Sequence, residues 1–468
     1  MKKLLRLLAL TAVVALSLCA TALAADPDAP AVLVNGQAVE FADAAPQIVD
    51  GRTYIPLRAT FTALGFADED ITWDGETRTA TAVKDGLTIT LTEGEKSVTV
   101  TRDGESETLE TDAAAYVDAA TGRTLVPLRF VAQAAGCNVG WDGNTRTAII
   151  DDTAAILAAN TETYTLMDRY MAYSNSFAER NYKVTGDFSM DMTAEGENIA
   201  VAGAYEMLTD ATKADFTTNM AFSGQAEGQD VAALFPEGLD LEMRFDMETG
   251  VYYLRSDALN EAAQIGVQDV WYRMDLSAIL DMGGMMEQVY GMDYQTLMEQ
   301  AQAARDLTFT EYLEQLLSDL PLTDATATTS DVLAVINDLC ADSAFVQSGA
   351  AYTSTYALGE GAELVLTLYT SGGRVNGYAV QLSAEGVLDV SATMRGNDLT
   401  AHVAMNVPSG GAGSAMSMTM DMTGRYASTT AAPKGVPPTG AGVMDLTSMI
   451  TGPEDMEPAG SADAEAQG

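Results

Sequence analysis

From Tyr182 onward, apolar and polar positions alternate with a period of two. Val184, Phe188, Met190 and Met192 alternate with Lys183, Asp187, Ser189 and Asp191. The same rhythm runs through Ile199, Val201, Tyr205 and Met207, then Phe216, Met220 and Phe222, then Leu241, Met243, Phe245 and Met247. Tyr252 to Leu254 follows Thr249-Gly250, and Val270 to Met274 makes a further strand. Successive side chains of a strand point to opposite faces, so this pattern predicts an antiparallel meander with one wet face. Between 276 and 343 the spacing becomes helical: Met285, Met286, Val289, Tyr290, Leu297 and Met298, then Tyr312, Leu313, Leu316 and Leu317, then Val332, Val335, Ile336 and Leu339. Strands resume at Ala351 and run through 364–369, 378–382, 388–394, 401–407 and 416–426. The expectation is an antiparallel β-rich domain over 182–430, with a helical insertion at 276–343 lying over its sheet. Asp151-Asp152-Thr153 can cap a helix running to about Arg180, a connector over 152–181.

Upstream of the connector one pattern is written twice. Gly51-Arg52-Thr53-Tyr54-Ile55-Pro56-Leu57-Arg58 returns as Gly122-Arg123-Thr124-Leu125-Val126-Pro127-Leu128-Arg129. Each copy runs through an apolar segment to a glycine, Gly65 or Gly136, and then to Trp-Asp-Gly-x-Thr-Arg-Thr-Ala, at 73–80 and 141–148. The loop between those landmarks is longer in the first copy, 66–72 against 137–140. This is an internal duplication. The β-branched and aromatic residues before each proline predict a strand, which the proline ends because it has no N–H to donate. Leu57, Phe61 and Leu64, and Leu128, Val131, Ala134 and Ala135, predict short helices closed by Gly65 and Gly136 at positive φ. Asp74-Gly75 and Asp142-Gly143 predict hairpin turns, and Thr77 to Val83 a half-buried strand. The fold class is therefore α+β: a duplicated strand-helix-hairpin module, a connector helix, and a larger antiparallel sheet domain with a helical insertion.

The repeat, over residues 31–151, resembles the copper amine oxidase N-terminal-like domain. The resemblance implies an accessory module carried by secreted proteins of Gram-positive bacteria, without the catalytic copper site or the quinone cofactor. Trp73, Trp141, Arg58 and Arg129 form the candidate ligand-contacting set. The favoured expectation is structural, with the tryptophans packed beneath the helices and the arginines tying helices to strands. The second part, with its meander, its tyrosine strand, its Trp-Tyr strand and its helical cover, resembles the half-open β-barrels of periplasmic lipid carriers and related envelope lipoproteins.

The ends of the chain refine this picture. Lys2, Lys3 and Arg6 precede an apolar run from Leu7 to Leu18, and Ala22-Leu23-Ala24 is a small-x-small site. This predicts a secretory signal peptide, 1–24, cut after Ala24. Leu18 stands before Cys19 where a lipobox needs a small residue, so a lipoprotein is not expected. No other stretch is long and apolar enough to span a bilayer. From 431 to 468 the Pro, Gly, Ala and acid content predicts a disordered acidic tail. Its Val436-Pro437-Pro438-Thr439-Gly440 departs from a sortase signal and has no apolar span after it, so wall anchoring by that route is not expected. The chain carries 24 Lys and Arg against 67 Asp and Glu, a formal −43. Without the three basic residues of the signal, 21 cationic side chains face 67 anionic ones, or −46. That balance opposes nucleic acid and anionic membrane surfaces. It suits a soluble extracellular protein and leaves diffuse Ca²⁺ or cationic partners open. Cys137 and Cys340 fall in different predicted domains, and no disulfide between them is expected.

The catalytic vocabulary is thin. His402 is the single histidine, whereas a type-2 copper site wants three and most zinc sites combine histidine with cysteines or carboxylates. A Ser-His-Asp triad on His402 has no Gly-x-Ser-x-Gly elbow to support it, and His402 sits in an alternating strand. Phosphate loops and dinucleotide fingerprints are missing, and carboxylates are too abundant for any pair to be informative. No residue is assigned as catalytic, cofactor-binding or metal-ligating, and no cofactor is expected. Met416, Met418, Met420 and Met422 alternate with polar residues and so share one strand face, as do Met190 with Met192, and Met243 with Met247. That face reads as plain core, as a cavity for a lipid-like ligand, or as a Cu(I) strip. The expected function is a secreted, non-catalytic binding or envelope-associated protein whose ligand the sequence does not name, an apolar one being among the options. The rival is a secreted hydrolase acting on cell-wall or polysaccharide material through carboxylates of the second domain, and a third reading is a plain stalk.

Overall fold

The computed structural model describes residues 30–194, 196–226, 228–262, 270–281, 293–303, 307–359, 361–407 and 415–447. The expected signal peptide and its cleavage site lie outside these residues. The chain is mixed, with about 49% strand and 22% helix, so sheets set its architecture. It forms two compact units: residues up to Thr163 with Phe309–Ala341, and Tyr164–Thr308 with the chain from Asp342 on.

Three small sheets build the first unit. β1 Ala31–Val34, β2 Gln37–Ala38, β12 Asn138–Asp142 and β13 Thr147–Asp151 lie in the order β12-β13-β1-β2, with β1 parallel to β13. β3 Gln47–Val49, β4 Arg52–Pro56, β10 Tyr116–Val117 and β11 Thr124–Pro127 lie in the order β10-β11-β4-β3. β5 Ile71–Asp74, β6 Thr79–Lys84, β7 Leu87–Thr92, β8 Ser97–Arg102 and β9 Glu105–Glu110 form a meander in chain order. The strands of the two repeat stretches pair with each other, β4 antiparallel to β11, with Ile55 opposite Val126. Each strand ends at its proline and turns at once into a short helix, Leu57–Ala63 or Leu128–Ala135. Gly65 and Gly136 follow at φ 83° and 78°, the left-handed conformation a helix end uses. Ile55, Phe61, Val100, Val126, Ala132, Ala148 and Ile150 meet in one buried core.

The Asp-Gly pairs behave differently from the expected two-residue turns. Asp74 faces Thr79 across a four-residue loop, and Asp142 faces Thr147 across another. The left-handed residue is Arg78 (φ 56°) or Arg146 (φ 55°), not the glycine. Each aspartate organises the loop instead. Asp74 accepts from Glu76 N at 2.8 Å and Thr77 Oγ1 at 2.8 Å, and Asp142 from Asn144 N at 2.8 Å and Thr145 Oγ1 at 2.6 Å.

The helical stretch 276–343 is not one insertion over the large sheet. Helices Phe309–Ser318 and Thr329–Cys340 belong to the first unit and pack against helix Thr153–Ala159. Their apolar positions Leu313, Leu317, Val332 and Leu339 are buried there. Asp151 accepts the Thr329 N–H at 3.0 Å, and the Asn138 amide donates to Leu320 O at 2.8 Å. Cys137 and Cys340 thus fall in the same unit rather than in different domains, and both are free thiols. The expected continuous connector helix is also two pieces, Thr153–Ala159 and Thr165–Ser176. Asp152 caps the first through Ala155 N at 2.9 Å. Asn160 and the β-branched Thr161 and Thr163 interrupt the path, and the Asp342 carboxylate accepts the Thr165 and Leu166 N–H groups to start the second helix.

One large sheet makes the second unit. Its strands are β14 Asn181–Ala194, β15 Glu197–Thr209, β16 Lys213–Ala226, β17 Gln229–Asp230, β18 Leu239–Asp246, β19 Val251–Arg255, β20 Val270–Asp275, β21 Val346–Ser348, β22 Ala351–Gly359, β23 Ala362–Ser371, β24 Arg374–Ala384, β25 Leu388–Arg395, β26 Asp398–Val407, β27 Met416–Thr429 and β28 Gly442–Asp445. The order is β21-β22-β23-β24-β25-β26-β27-β14-β15-β16-β18-β19-β20-β28, with β17 beside β16. Pairing of β27 with β14 joins two meanders, one from each side of the helical stretch. Helix Thr165–Ser176 packs on β24, with the Tyr170 and Tyr378 rings 5.5 Å apart edge to face. Residues 431–447 are ordered, contrary to the expected tail. Lys434 and Gly435 donate their N–H groups to Asp215 at 2.9 and 3.0 Å, and β28 adds to β20 in parallel. The Arg273–Asp445 ion pair at 2.7 Å and the Asp275 N–H on Thr447 Oγ1 at 2.9 Å fix that strand. The remainder of the expected tail, from 448, lies outside the described residues.

Candidate functional site

The tandem pairing of β4 with β11 places each Gly-Arg-Thr turn beside the helix and tryptophan of the other repeat stretch. Arg52 reaches Asp112 at 2.8 Å, and Arg123 reaches Asp43 at 2.7 Å. Two grooves result. One, of about 790 Å³, has Arg129, Gln133 and Trp141 on one side and Asp50, Arg52 and Glu110 on the other. The second, of about 420 Å³, has Arg58 and Trp73 opposite Asp43, Gly122 and Arg123.

The tryptophans are not beneath the helices. Trp73 is 40% exposed and Trp141 37% exposed, whereas core aromatic Phe61 is fully buried. Each indole sits on its hairpin facing an alanine, Ala80 or Ala148, and leans toward the loop glycine. A Cβ at Gly75 would lie 4.0 Å from Trp73 Nε1, and one at Gly143 3.9 Å from Trp141 Nε1. In both copies the indole Nε1 therefore sits at nearly the same distance from the loop glycine. Their core space is taken by Leu57, Phe61 and Phe66 in one half, and by Leu128, Phe130 and Ala134 in the other.

The arginines divide. Arg58 ties its helix to the following strand as expected: Nη1 donates to Asp68 O at 2.8 Å and pairs with its carboxylate at 2.7 Å, and Nη2 donates to Ile71 O at 2.7 Å. Asp68 is available because the longer loop folds a 3-10 turn at Asp68–Asp70. The shorter loop 137–140 has no such turn. Arg129 is exposed and has no hydrogen-bond or ion-pair partner among the described residues. The sequence carries this signal in the length difference between the loops, joined to the repeat.

His402 lies on the polar face of the large sheet, bonded through Nδ1 to Asp421 at 2.8 Å. Ser391 is its cross-strand neighbour on the other side, so Ser391, His402 and Asp421 form a row across β25, β26 and β27. Asp421 and Ser391 were invisible as partners in the sequence, since register alone brings them together. The surrounding strand N–H groups are committed to the ladder, which leaves no donors for an oxyanion. The same polar face holds an open cleft of about 760 Å³ where the β14–β27 ladder is interrupted. There Tyr205 donates to Thr423 O at 2.9 Å, and a Cβ on Gly186 would lie 1.8 Å from that oxygen.

Burial raises the Cys137 and Cys340 thiols to about 12, which keeps both as poor nucleophiles. No group of three metal-ligating His, Cys, Asp or Glu side chains occurs among the described residues. On the apolar face, Met190 faces Met420, and Met192, Met418 and Met405 form a row across three strands. Met405 lies in a strand the sequence marked, but its place beside Met418 follows from the register of β26 against β27, which the sequence does not show. Met416, Met418, Met420 and Met422 are all half-buried, and Met422 packs against the buried cluster of Tyr182, Val184 and Tyr205. Met243 lies in β18, and Met247 follows that strand in a turn.

No helix among the described residues is long and apolar enough to cross a membrane. No curated protein matches the chain. Among solved structures, a DUF1329 family protein from Desulfovibrio piger is similar at 10% identity and a TM-score of 0.20, over 56% of this chain and 93% of that one. An agreement that loose transfers nothing. The repeat region is different: residues 33–169, which hold both grooves, match the family model of the copper amine oxidase N-terminal domain.

Proposed function

We propose that this is a secreted, non-catalytic binding protein of the cell envelope, in which a duplicated strand-helix-hairpin module accompanies a sheet that takes an apolar ligand. One observation carries the ligand reading. A single apolar face runs across the large sheet, and it is sealed at one part and open at another. Helix Thr165–Ser176 packs on β24, where Tyr378 is buried, and Leu364, Leu366 and Leu368 of the adjoining β23 are buried too. At the centre, Phe188, Met190, Met192, Met405, Met418 and Met420 are only half-buried. Leaving thioethers and a phenyl ring partly wetted costs about 25 cal/mol per Å² of apolar surface, and flexible, polarizable methionines suit a surface that adapts to an acyl chain. The hydrolase reading lacks comparable support. In the second unit Asp240, Asp275, Asp293 and Asp445 are held below the usual carboxylate range, opposite to what a general acid needs.

The test is displacement of cis-parinaric acid from the full chain by oleate. Binding is expected, and Met190→Glu with Met420→Glu should abolish it while the protein remains folded. Failure to bind, or binding indifferent to both substitutions, overturns the reading. The Met192–Met418–Met405 row favours one second reading, capture of Cu(I) by thioethers. Competition against a chromophoric Cu(I) chelator separates the two, since a metal site would be lost in Met418→Leu and an acyl site would not.

A further inference from the structure

We propose that the groove beside Trp141 is a glycan subsite for a neutral, gluco-configured pyranose chain, a site separate from the apolar sheet face. Three observations carry it. First, Trp141 is 37% exposed and lines the groove, with its Nε1 beside the loop glycine, so aromatic surface of the indole is accessible there. The face of an aromatic ring is negative and attracts the polarised C–H bonds of another molecule. A pyranose with all its substituents equatorial presents such C–H bonds, and little else, on its flat sides. Second, Arg129 is exposed on the same wall with no polar partner among the described residues. Its five N–H donors are uncommitted and can bridge adjacent hydroxyls. Third, the lining also includes acceptors, the carboxylates of Asp50 and Glu110, while Arg52 is already engaged by Asp112. A sugar hydroxyl donates and accepts at once, and the lining of this groove offers both functions. Its charges, Arg52 and Arg129 against Asp50, Glu110 and Asp112, nearly balance, so a strongly charged ligand of either sign gains little from the field. The volume of about 790 Å³ lies within the ~300–1,000 Å³ of small-molecule sites. The groove beside Trp73 provides an internal control: the same ring on the equivalent hairpin, but about 420 Å³ and an arginine spent on Asp68 and Ile71.

The experiment is calorimetric titration of the full chain with chitotetraose and with cellotetraose. At least one should bind, with an affinity that changes little as NaCl rises from about 0.05 to 0.5 M, because no net charge is neutralised. Trp141→Ala should weaken binding by more than about tenfold and Arg129→Ala by about fivefold, whereas Trp73→Ala should change it by less than about twofold. Arg129→Ala touches no internal contact, so it tests the site even if Trp141→Ala perturbs folding. The proposal is overturned if neither oligosaccharide binds, if Trp73→Ala weakens binding as much as Trp141→Ala, or if a proline-rich peptide binds the groove and the sugars do not.

Discussion

The two repeat stretches carry the same signature yet do different work. In both, a strand ends at a proline, a short helix ends at a left-handed glycine, and an indole lies on a hairpin beside an aspartate-organised loop. What differs is what adjoins them. The first hairpin continues into the meander β5 to β9, and its longer loop supplies Asp68 to Arg58. The second pairs with β1 and is overlaid by the segment 320–325. Its shorter loop leaves Arg129 free. A repeated motif thus specifies its own local geometry, while loop length and neighbours decide whether a given side chain is structural or available.

The sharpest test of that difference is at the residue just before each tryptophan. Thr72 and Gly140 are equivalent positions. A Cβ at Gly140 would lie 1.6 Å from Leu322 O, whereas Thr72 is exposed. Gly140→Ala should destabilise the first unit by about 3 kcal/mol, since backbone and not a flexible tip must move, and Thr72→Ala by less than about 0.5. Hydrogen exchange of amides in β12 and β13 checks it. Equal effects at the two positions would mean that segment 320–325 does not hold the second hairpin.

Next come the loop aspartates. Asp142 is 2% exposed and also accepts Ala325 N at 3.2 Å, a bond Asp74 has no counterpart for. Burial pushes the Asp142 carboxyl up, but hydrogen bonds from Thr145, Ala325 and Asn144 outweigh it and hold it below the usual range. Asp74 is lowered too, by bonds from Thr77 and Glu76. A depressed carboxyl stabilises fully above its unfolded pKa of about 3.9, and that contribution is lost as pH falls through the folded value. Asp142→Asn should cost about 2 kcal/mol at pH 7, more than Asp74→Asn. The gap between Asp142→Asn and the parent in denaturant unfolding should narrow below about pH 4.

The tryptophans come third, and they correct a sequence expectation. A buried aromatic would lose about 3–5 kcal/mol on truncation. With 40% and 37% exposure, Trp73→Ala and Trp141→Ala should each cost only about 1–2 kcal/mol. A loss near 4 kcal/mol in either would return that ring to the core.

What could be read in advance follows from range. Period-two alternation and the repeat are local, and they located the longer strands between β14 and β27 and the helix-end glycines Gly65 and Gly136, but not the short β17 and β21. Burial of Trp73 and Trp141 depended on competition with Phe61 and Phe130 for one core, which a single motif does not encode. The destination of 309–341 depended on contacts such as Asp151 with Thr329, 178 residues apart. The order of 442–445 depended on a free edge at β20 and on Arg273 waiting for Asp445. Of the four candidate residues, the motif marked all, but only the loop lengths distinguished Arg129 from Arg58.

That distinction gives the smallest effect and the most diagnostic one. Arg58 is half exposed and its ion pair with Asp68 is screened by solvent, so the pair itself adds little. Its bonds to the Asp68 and Ile71 carbonyls are the larger part, and Arg58→Ala should cost about 1 kcal/mol. Arg129→Ala removes no internal bond and should leave stability within about 0.3 kcal/mol. Grafting the difference is the stronger experiment. Replacing Asp68 by alanine frees one donor of Arg58 but leaves both carbonyl bonds, so it should not convert Arg58 into a second Arg129. Shortening the loop 66–72 to the length of 137–140 removes the 3-10 turn altogether and should. If Arg58→Ala becomes thermodynamically silent only in the shortened chain, loop length is what separates a structural arginine from an available one. If Arg129→Ala destabilises the parent as much as Arg58→Ala, the arginine has a structural partner and the two stretches are more alike than their loops suggest.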